Sequence, residues 1–253
     1  MDITIAILLV LAGFAGGIIN AVAGGATLVT FPVMLAAGLP PVIANASNAV
    51  AISPGHLIAA FADRAKLPPL DRRLAAALGV ALAGGVMGAL LLKVLPDRLF
   101  VLPVPALIGF ATLLFAFAPT IQAWTERRRG GAAPSQPAGL AVLGGASVYG
   151  GFFGAGLGVI LTAVLSIAEP NDIRKVKVVK NLLATAVSLA AIGIFIAQGM
   201  VRWPETLVML SGALGGGYAG GALVRVLPGR LVQGLVIVAG AVMTIVYAWR
   251  YWF

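Results

Sequence analysis

Long runs of apolar residues alternate with short clusters of charged residues along the whole chain. The runs 74–92 and 99–122 contain no charged residue, and each is long enough to cross about 30 Å of hydrocarbon as a helix. Backbone groups at membrane depth must be satisfied internally, and no ten-residue alternation indicates a barrel, so we predict helices. Six segments are predicted to be full spans: 42–61, 74–93, 99–119, 176–198, 205–224 and 230–250.

Two further apolar segments, 3–38 and 139–171, are too long for a single crossing. Each has about 35 residues, which as one helix would measure about 50 Å. Glycines interrupt them at 23–25 and 154–158, and the arm after each interruption has only about 13 residues, too short for a comfortable span. We therefore predict two hairpins that enter the bilayer, turn within it and return.

The two interrupted segments match each other, which predicts an internal repeat. An offset of 133 residues pairs Gly25 with Gly158 and Asn48 with Asn181. Glycine-broken segments at corresponding places in two halves are a good indication of a transporter's binding site. The predicted fold is an all-α polytopic membrane protein of two inverted-topology repeats, each a re-entrant or broken helix hairpin plus about three transmembrane helices.

The halves are predicted at residues 1–122 and 139–253. A flexible basic cytoplasmic linker, 123–138, joins them, and its Gly, Pro and Ser content suits a mobile connection. Basic loop residues favour the cytoplasmic side of a membrane. An inverted arrangement places both termini outside and leaves only four of the 17 Lys and Arg residues on the outer side: Lys93, Arg98, Arg202 and Arg250.

Composition excludes several functional classes. Of the 253 residues, 60% are hydrophobic and 10% are charged, against about a quarter charged in a soluble domain. The net charge of +9 is attributed to cytoplasmic loops rather than to nucleic-acid binding. The chain has no cysteine and one histidine, so we expect no metal site and no cofactor. Hydrolase, metalloprotease and phosphate-loop motifs are missing, which argues against an enzyme.

The two hairpin tips are predicted to form an anion site. Irregular backbone at membrane depth is tolerated only where it is buried or lines a cavity, so the tips should meet near the midplane. The free N–H groups and the dipole at the N-terminus of a half-helix favour an anion. The alternative is that the glycines only allow close helix packing. The backbone donors are predicted at Gly24, Gly25, Thr27, Gly156 and Gly158.

Polar side chains inside the spans complete the predicted site. Asn45 and Asn48 lie near the start of one span, and Lys180 and Asn181 lie early in the corresponding span. Such residues usually face the protein interior, where amides and a lysine can bind anionic oxygens. The alternatives are helix-to-helix hydrogen bonding for the asparagines and an interfacial position for the lysine. His56 is interpreted as structural, or else as a gating or proton-linked residue.

All eight carboxylates fall at predicted helix ends or in loops. A proton relay or a cation pump would need one in the middle of a span. We therefore expect outward transport without a built-in proton relay.

At these residues the chain resembles the TauE/SafE family of anion permeases, also called the sulfite exporter family. The resemblance rests on residues 20–32 (NAVAGGATLVTFP), 45–49 (NASNA) and 150–158 (GGFFGAGLG), with Lys180-Asn181 downstream. It covers nearly the whole chain. It implies a permease of the bacterial inner membrane for sulfite, sulfoacetate or another sulfur-containing organic anion, and it does not choose the anion.

The predicted function is therefore an exporter or uniporter of a small sulfur-containing anion that works by alternating access at a midplane site between the repeats. Its expected partners are that anion and the lipid bilayer, not nucleic acid, and a homodimer is left open. The alternative is a membrane-embedded assembly or interaction protein without transport activity, which tightly packed tips with no polar void would favour. An integral-membrane enzyme is a third class, which the missing motifs disfavour.

Overall fold

The computed structural model describes residues 1–22, 25–55, 57–58, 67–127, 136–168, 173–223 and 229–253. Every regular element in these ranges is a helix, which confirms the all-α prediction. In chain order the helices are α1 Ile3–Val22, α2 Thr27–Ala36, α3 Pro41–Ile52, α4 Arg72–Val94, α5 Asp97–Val101, α6 Val104–Ala116, α7 Ala118–Arg127, α8 Gln136–Phe152, α9 Leu157–Ala168, α10 Ile173–Ala197, α11 Trp203–Leu223 and α12 Gly229–Trp252.

Four of these helices are long and apolar enough to cross a membrane, counted over the described ranges. They contain the segments Ile3–Asn20, Arg72–Val94, Lys175–Ala197 and Leu231–Trp252. The last three confirm the spans predicted at the corresponding positions, and the predicted span 205–224 is a continuous helix as α11. The predicted span 42–61 is described mainly through α3, a helix of 12 residues.

The predicted span 99–119 is broken rather than continuous. Its main part is α6, and the chain bends by 56° before continuing as α7. Pro119 explains the break, because a proline inside a helix lacks an N–H group and its ring clashes with the carbonyl four residues earlier. That carbonyl belongs to Phe115, and its oxygen accepts a hydrogen bond from Gln233 Nε2 at 2.8 Å instead.

The glycine interruptions occur where the sequence places them, between α1 and α2 and between α8 and α9. The second arms are short: α2 has 10 residues and α9 has 12, about 15 and 18 Å in length. The first hairpin differs from the prediction in its first arm. Because α1 has 20 residues, about 30 Å, it can cross the bilayer by itself.

Two pairs of helices pack with their backbones in close approach, α1 against α11 and α4 against α8. A Cβ atom at Gly216 of α11 would overlap the carbonyl oxygen of Phe14 in α1, and a Cβ atom at Gly151 of α8 would overlap that of Gly85 in α4. Small residues allow this approach and drive helix association in membranes. In both pairs, the first helix of one half packs on a helix of the other half.

Candidate functional site

The segment between α8 and α9, residues 153–156, forms a tight turn that we call the second tip. Gly154 and Gly156 have φ angles of 78° and 80°, a conformation that glycine adopts without a steric penalty. Tyr149 Oη donates a hydrogen bond to Ala155 O at 2.6 Å, which fastens the turn to the preceding helix. No sequence motif marks Tyr149 for this role, although it is the one tyrosine of the segment 139–171.

Both glycine turns approach the same part of α6. Gly25, in the turn between α1 and α2, has a φ angle of 103°, and a Cβ atom there would lie 2.8 Å from Phe115 Cε2. A Cβ atom at Gly156 would lie 3.3 Å from Leu114 Cδ1. The two turns therefore reach neighbouring residues of one helix, and each requires glycine for its backbone and for space.

Helix α3 of the first half is attached to the second tip. Asn45 Nδ2 donates a hydrogen bond to Phe152 O at 2.8 Å, at the C-terminal end of α8. The next residue, Phe153, packs edge to face on Phe31 of α2, with ring centroids 5.3 Å apart. These two contacts join the predicted halves at the place where the sequence predicts the site.

Two asparagine side chains of α3 are deeply buried and incompletely hydrogen-bonded. Asn45 is 2% exposed and Asn48 is 1% exposed. Within the described part of the chain, the Oδ1 atom of each has no hydrogen-bond partner. Proteins leave few such groups, because an unpaired buried polar atom costs about 1–3 kcal/mol. Each of these two oxygens can accept a hydrogen bond.

The N-terminus of α9 presents an unpaired donor. The N–H groups of Leu157 and Val159 bond to carbonyl oxygens of the second tip, whereas that of Gly158 makes no hydrogen bond to any residue that the structure describes. A Cβ atom at Gly158 would meet no atom within 4 Å. An anion in this open space would find a free donor and the positive end of the helix dipole.

Lys180 and Asn181 are half-buried near the start of α10. Helix α3 contacts α10, and Phe195 of α10 belongs to the same buried cluster as Ala44 of α3. Asn181 precedes Phe195 by 14 residues, about 21 Å along the helix. None of the hydrogen bonds between described residues joins Asn181 to Asn48, and their pairing stays a prediction.

The remaining predicted positions are only partly described. Thr27 is buried as the first residue of α2. Gly24 and His56 lie outside the described residues, as does the central part of the predicted linker, 128–135. Among the described residues, no group of three His, Asp or Glu side chains could hold a metal ion.

Two pockets open beside the first turn of α3, and Ile43 lines both. One has a volume of about 440 Å³ and includes Arg202 and Glu205; the other has about 250 Å³ and includes Lys93. Neither is lined by the tip glycines or by the buried asparagines. Ser47 Oγ accepts a hydrogen bond from the Arg202 N–H group at 3.0 Å, which joins α3 to this end of the bundle.

The known proteins that this chain resembles are membrane transporters. A family model described as "Sulfite exporter TauE/SafE" matches residues 9–247. A "Probable membrane transporter protein" of Haemophilus influenzae is 28% identical over 246 residues, which cover 96% of this chain and 95% of that protein. The "Probable membrane transporter protein YfcA" of Escherichia coli K12 is 28% identical over 232 residues, covering 90% and 84%. No solved structure matches the chain significantly.

Proposed function

This chain belongs to the TauE/SafE sulfite exporter family of membrane transporters, and from that premise we propose that it moves a small sulfur-containing anion across the bacterial cytoplasmic membrane. Sulfite, sulfoacetate and other short organosulfonates form the proposed substrate class. The proposed mechanism is alternating access at a site beside the two glycine turns, as an exporter or a uniporter.

The observation that carries the proposal is the free N–H group of Gly158 beside open space. This donor lies in the first turn of a half-helix whose preceding turn is held by Tyr149. A fixed donor at a helix N-terminus suits an oxyanion and needs no charged partner. Thr27 is the first residue of α2, the short helix of the other hairpin, and is proposed as a further donor.

Lys180 and Asn181 are proposed to act on the same anion at another stage of its passage. Both side chains are half-buried on α10, a helix that qualifies as a membrane span. A lysine in such a position attracts an anion, and an amide adds a hydrogen bond. The two pockets beside α3 support an access route from the opposite end of α10, because Gln198 lines one of them.

The proposed orientation has both termini outside, with the halves related by a two-fold axis in the membrane plane. Such an axis would interchange the pair α1–α11 with the pair α8–α4, and both pairs are closely packed. The pockets beside α3 then open to the outer side, and the start of α10 lies near the inner side.

Direct binding to the purified chain in lipid nanodiscs tests the proposal. The ligand panel is sulfite, sulfoacetate, sulfate and acetate. Gly158→Ala adds a methyl group that meets no protein atom, so we expect a folded protein whose affinity for the bound anion is lowered about ten-fold, equal to about 1.4 kcal/mol.

Gly145→Ala on α8 is the matched control, because a Cβ atom there also meets no atom within 4 Å. It should bind as the unmodified protein does. The proposed site is wrong if both variants bind equally well, and the proposed substrate class is wrong if no sulfur-containing anion binds the unmodified chain.

A further inference from the structure

The free oxygens of Asn45 and Asn48 require a hydrogen-bond donor, which a bare oxyanion cannot supply. We propose that the substrate carries an O–H or N–H group in addition to its anionic group, and that these two oxygens accept it. The inference rests on the proposed function, because the donor and the anionic group belong to one transported molecule. It narrows the proposed substrate class to short organosulfonates that bear such a donor.

The orientation of the Asn45 amide follows from its one hydrogen bond. Its Nδ2 atom donates to Phe152 O at 2.8 Å. A carbonyl oxygen only accepts, so exchanging the nitrogen and oxygen of the amide would bring two acceptors together. The atom left unpaired is therefore the oxygen Oδ1, which repels an anionic oxygen and attracts an O–H or N–H group.

Asn48 lies three residues later on the same side of α3, where residues three apart are neighbours. Its Oδ1 atom is also buried and unpaired in the described part of the structure. Three alanines of this helix have no exposed surface, so the surroundings are apolar: Ala44, Ala46 and Ala51. An unpaired oxygen here opposes folding, and a ligand that donates to it removes that penalty on binding.

A neutral donor fits this place better than a cation does. Asp97 contacts the first turn of α3, where its Oδ1 atom accepts a hydrogen bond from the Val42 N–H group at 3.3 Å. Asn45 and Asn48 follow later in the helix, and both buried side chains are neutral. A charge at membrane depth without a counter-charge is strongly unfavourable, whereas an O–H or N–H group brings no such cost.

Asn45, one of the two acceptors, and the Gly158 N–H group, the proposed anion donor, both adjoin the second tip. Asn45 holds the second tip at Phe152, and the Gly158 N–H group lies just beyond that tip. The proposed substrate is therefore a short molecule with an anionic group at one end, for the Gly158 N–H group, and a donor at the other end, for the asparagine oxygens. This is the reason for choosing a substituted anion over a symmetrical oxyanion.

Matched ligand pairs test the inference on the full chain in nanodiscs. The pairs are 2-hydroxyethanesulfonate with ethanesulfonate, and hydroxyacetate with acetate. In the unmodified protein the hydroxylated member should bind about ten-fold more tightly, as expected for one buried hydrogen bond. Asn48→Leu should reduce this preference to about two-fold or less.

Two controls separate the outcomes. Gly158→Ala should weaken the binding of both members of a pair equally and keep the ratio of their affinities. Asn48→Ser repeats the test with a smaller side chain if the leucine variant does not fold. Equal affinity for both members in the unmodified protein overturns the donor inference and leaves the anion carrier intact. A preference that survives both Asn48 variants also overturns it. If the chain binds none of these anions and neither sulfite nor sulfoacetate, the proposed function itself is wrong.

Discussion

Replacing Gly85 by alanine is expected to destabilise the helix bundle, because Gly85 lies where α4 crosses α10. A Cβ atom at this position would lie 2.5 Å from Val187 O, 3.0 Å from Val187 Cα and 3.1 Å from Ala190 Cβ. A carbon atom approaches a carbonyl oxygen to about 3.3 Å at closest, so the two helices must separate by about 0.8 Å. The obstacle is backbone and cannot rotate away.

The expected magnitude combines two opposing effects. Forcing an extra carbon into a packed interface costs about 1–3 kcal/mol, and alanine is favoured over glycine within a helix by up to about 1 kcal/mol. We therefore expect Gly85→Ala to lower the free energy of unfolding by about 1–2 kcal/mol. Gly79→Ala, earlier on the same helix, introduces a Cβ atom with no neighbour within 4 Å, and it should leave that free energy unchanged or slightly raised.

Reversible unfolding in mixed micelles, with increasing SDS and with tryptophan fluorescence as the signal, measures both free energies. Binding of the preferred anion, measured on the same samples, reports whether the separation of α4 from α10 reaches Lys180 and Asn181. Equal unfolding free energies for the two alanine variants, within about 0.5 kcal/mol, would refute the steric reasoning.

Four further predictions concern the transport cycle. Asn48→Ala should weaken binding of a hydroxylated substrate anion, and Asn181→Ala that of any substrate anion, each by about 1–3 kcal/mol, and unchanged affinity in both folded variants would leave these residues a packing role. Lys180→Gln should weaken binding of a dianion more than that of a monoanion, and an equal effect on both would favour an interfacial lysine. In proteoliposomes, outward flux should follow an imposed potential at constant pH, worth about 2.3 kcal/mol per charge per 100 mV; flux that follows only a pH gradient contradicts this. A membrane-impermeant thiol reagent added outside should label a cysteine at position 40 and not one at position 127, and labelling of both would contradict the inverted orientation.

The parts of the fold that depend on local signals could be predicted from the sequence. Gly25 and Gly156 adopt positive φ angles that other residues avoid, so the glycine clusters locate the interruptions in both hairpins. The bend after α6 also has a local cause in Pro119, but a prediction based on apolar length alone extended the span across it. Local chemistry therefore determines where helices stop, and hydropathy determines only which segments enter the membrane.

The arrangement around the site depends on contacts that a single sequence does not contain. Asn45 was predicted to bind an anion, but its amide nitrogen is bonded to Phe152 O, 107 residues away. Which of its two polar atoms stays free is decided by that tertiary contact. Sequence equivalence paired Asn48 with Asn181, whereas the position of α3 along α10 depends on tertiary packing, in which Ala44 and Phe195 belong to one buried cluster. The sequence gives the polar residues that each helix carries, but not the residues that they contact.

The interlocked helix pairs restrict how the protein can move. The backbone of Phe14 in α1 packs closely against Gly216 of α11, and the backbone of Gly85 in α4 packs closely against Gly151 of α8. If residues 1–122 and 139–253 rocked against each other as two blocks, both of these interfaces would have to open inside the bilayer. Under the proposed alternating access, each rigid body would instead contain helices from both sequence halves. The short helices α2, α3 and α9, which adjoin the glycine turns or carry the buried asparagines, lie outside the two pairs.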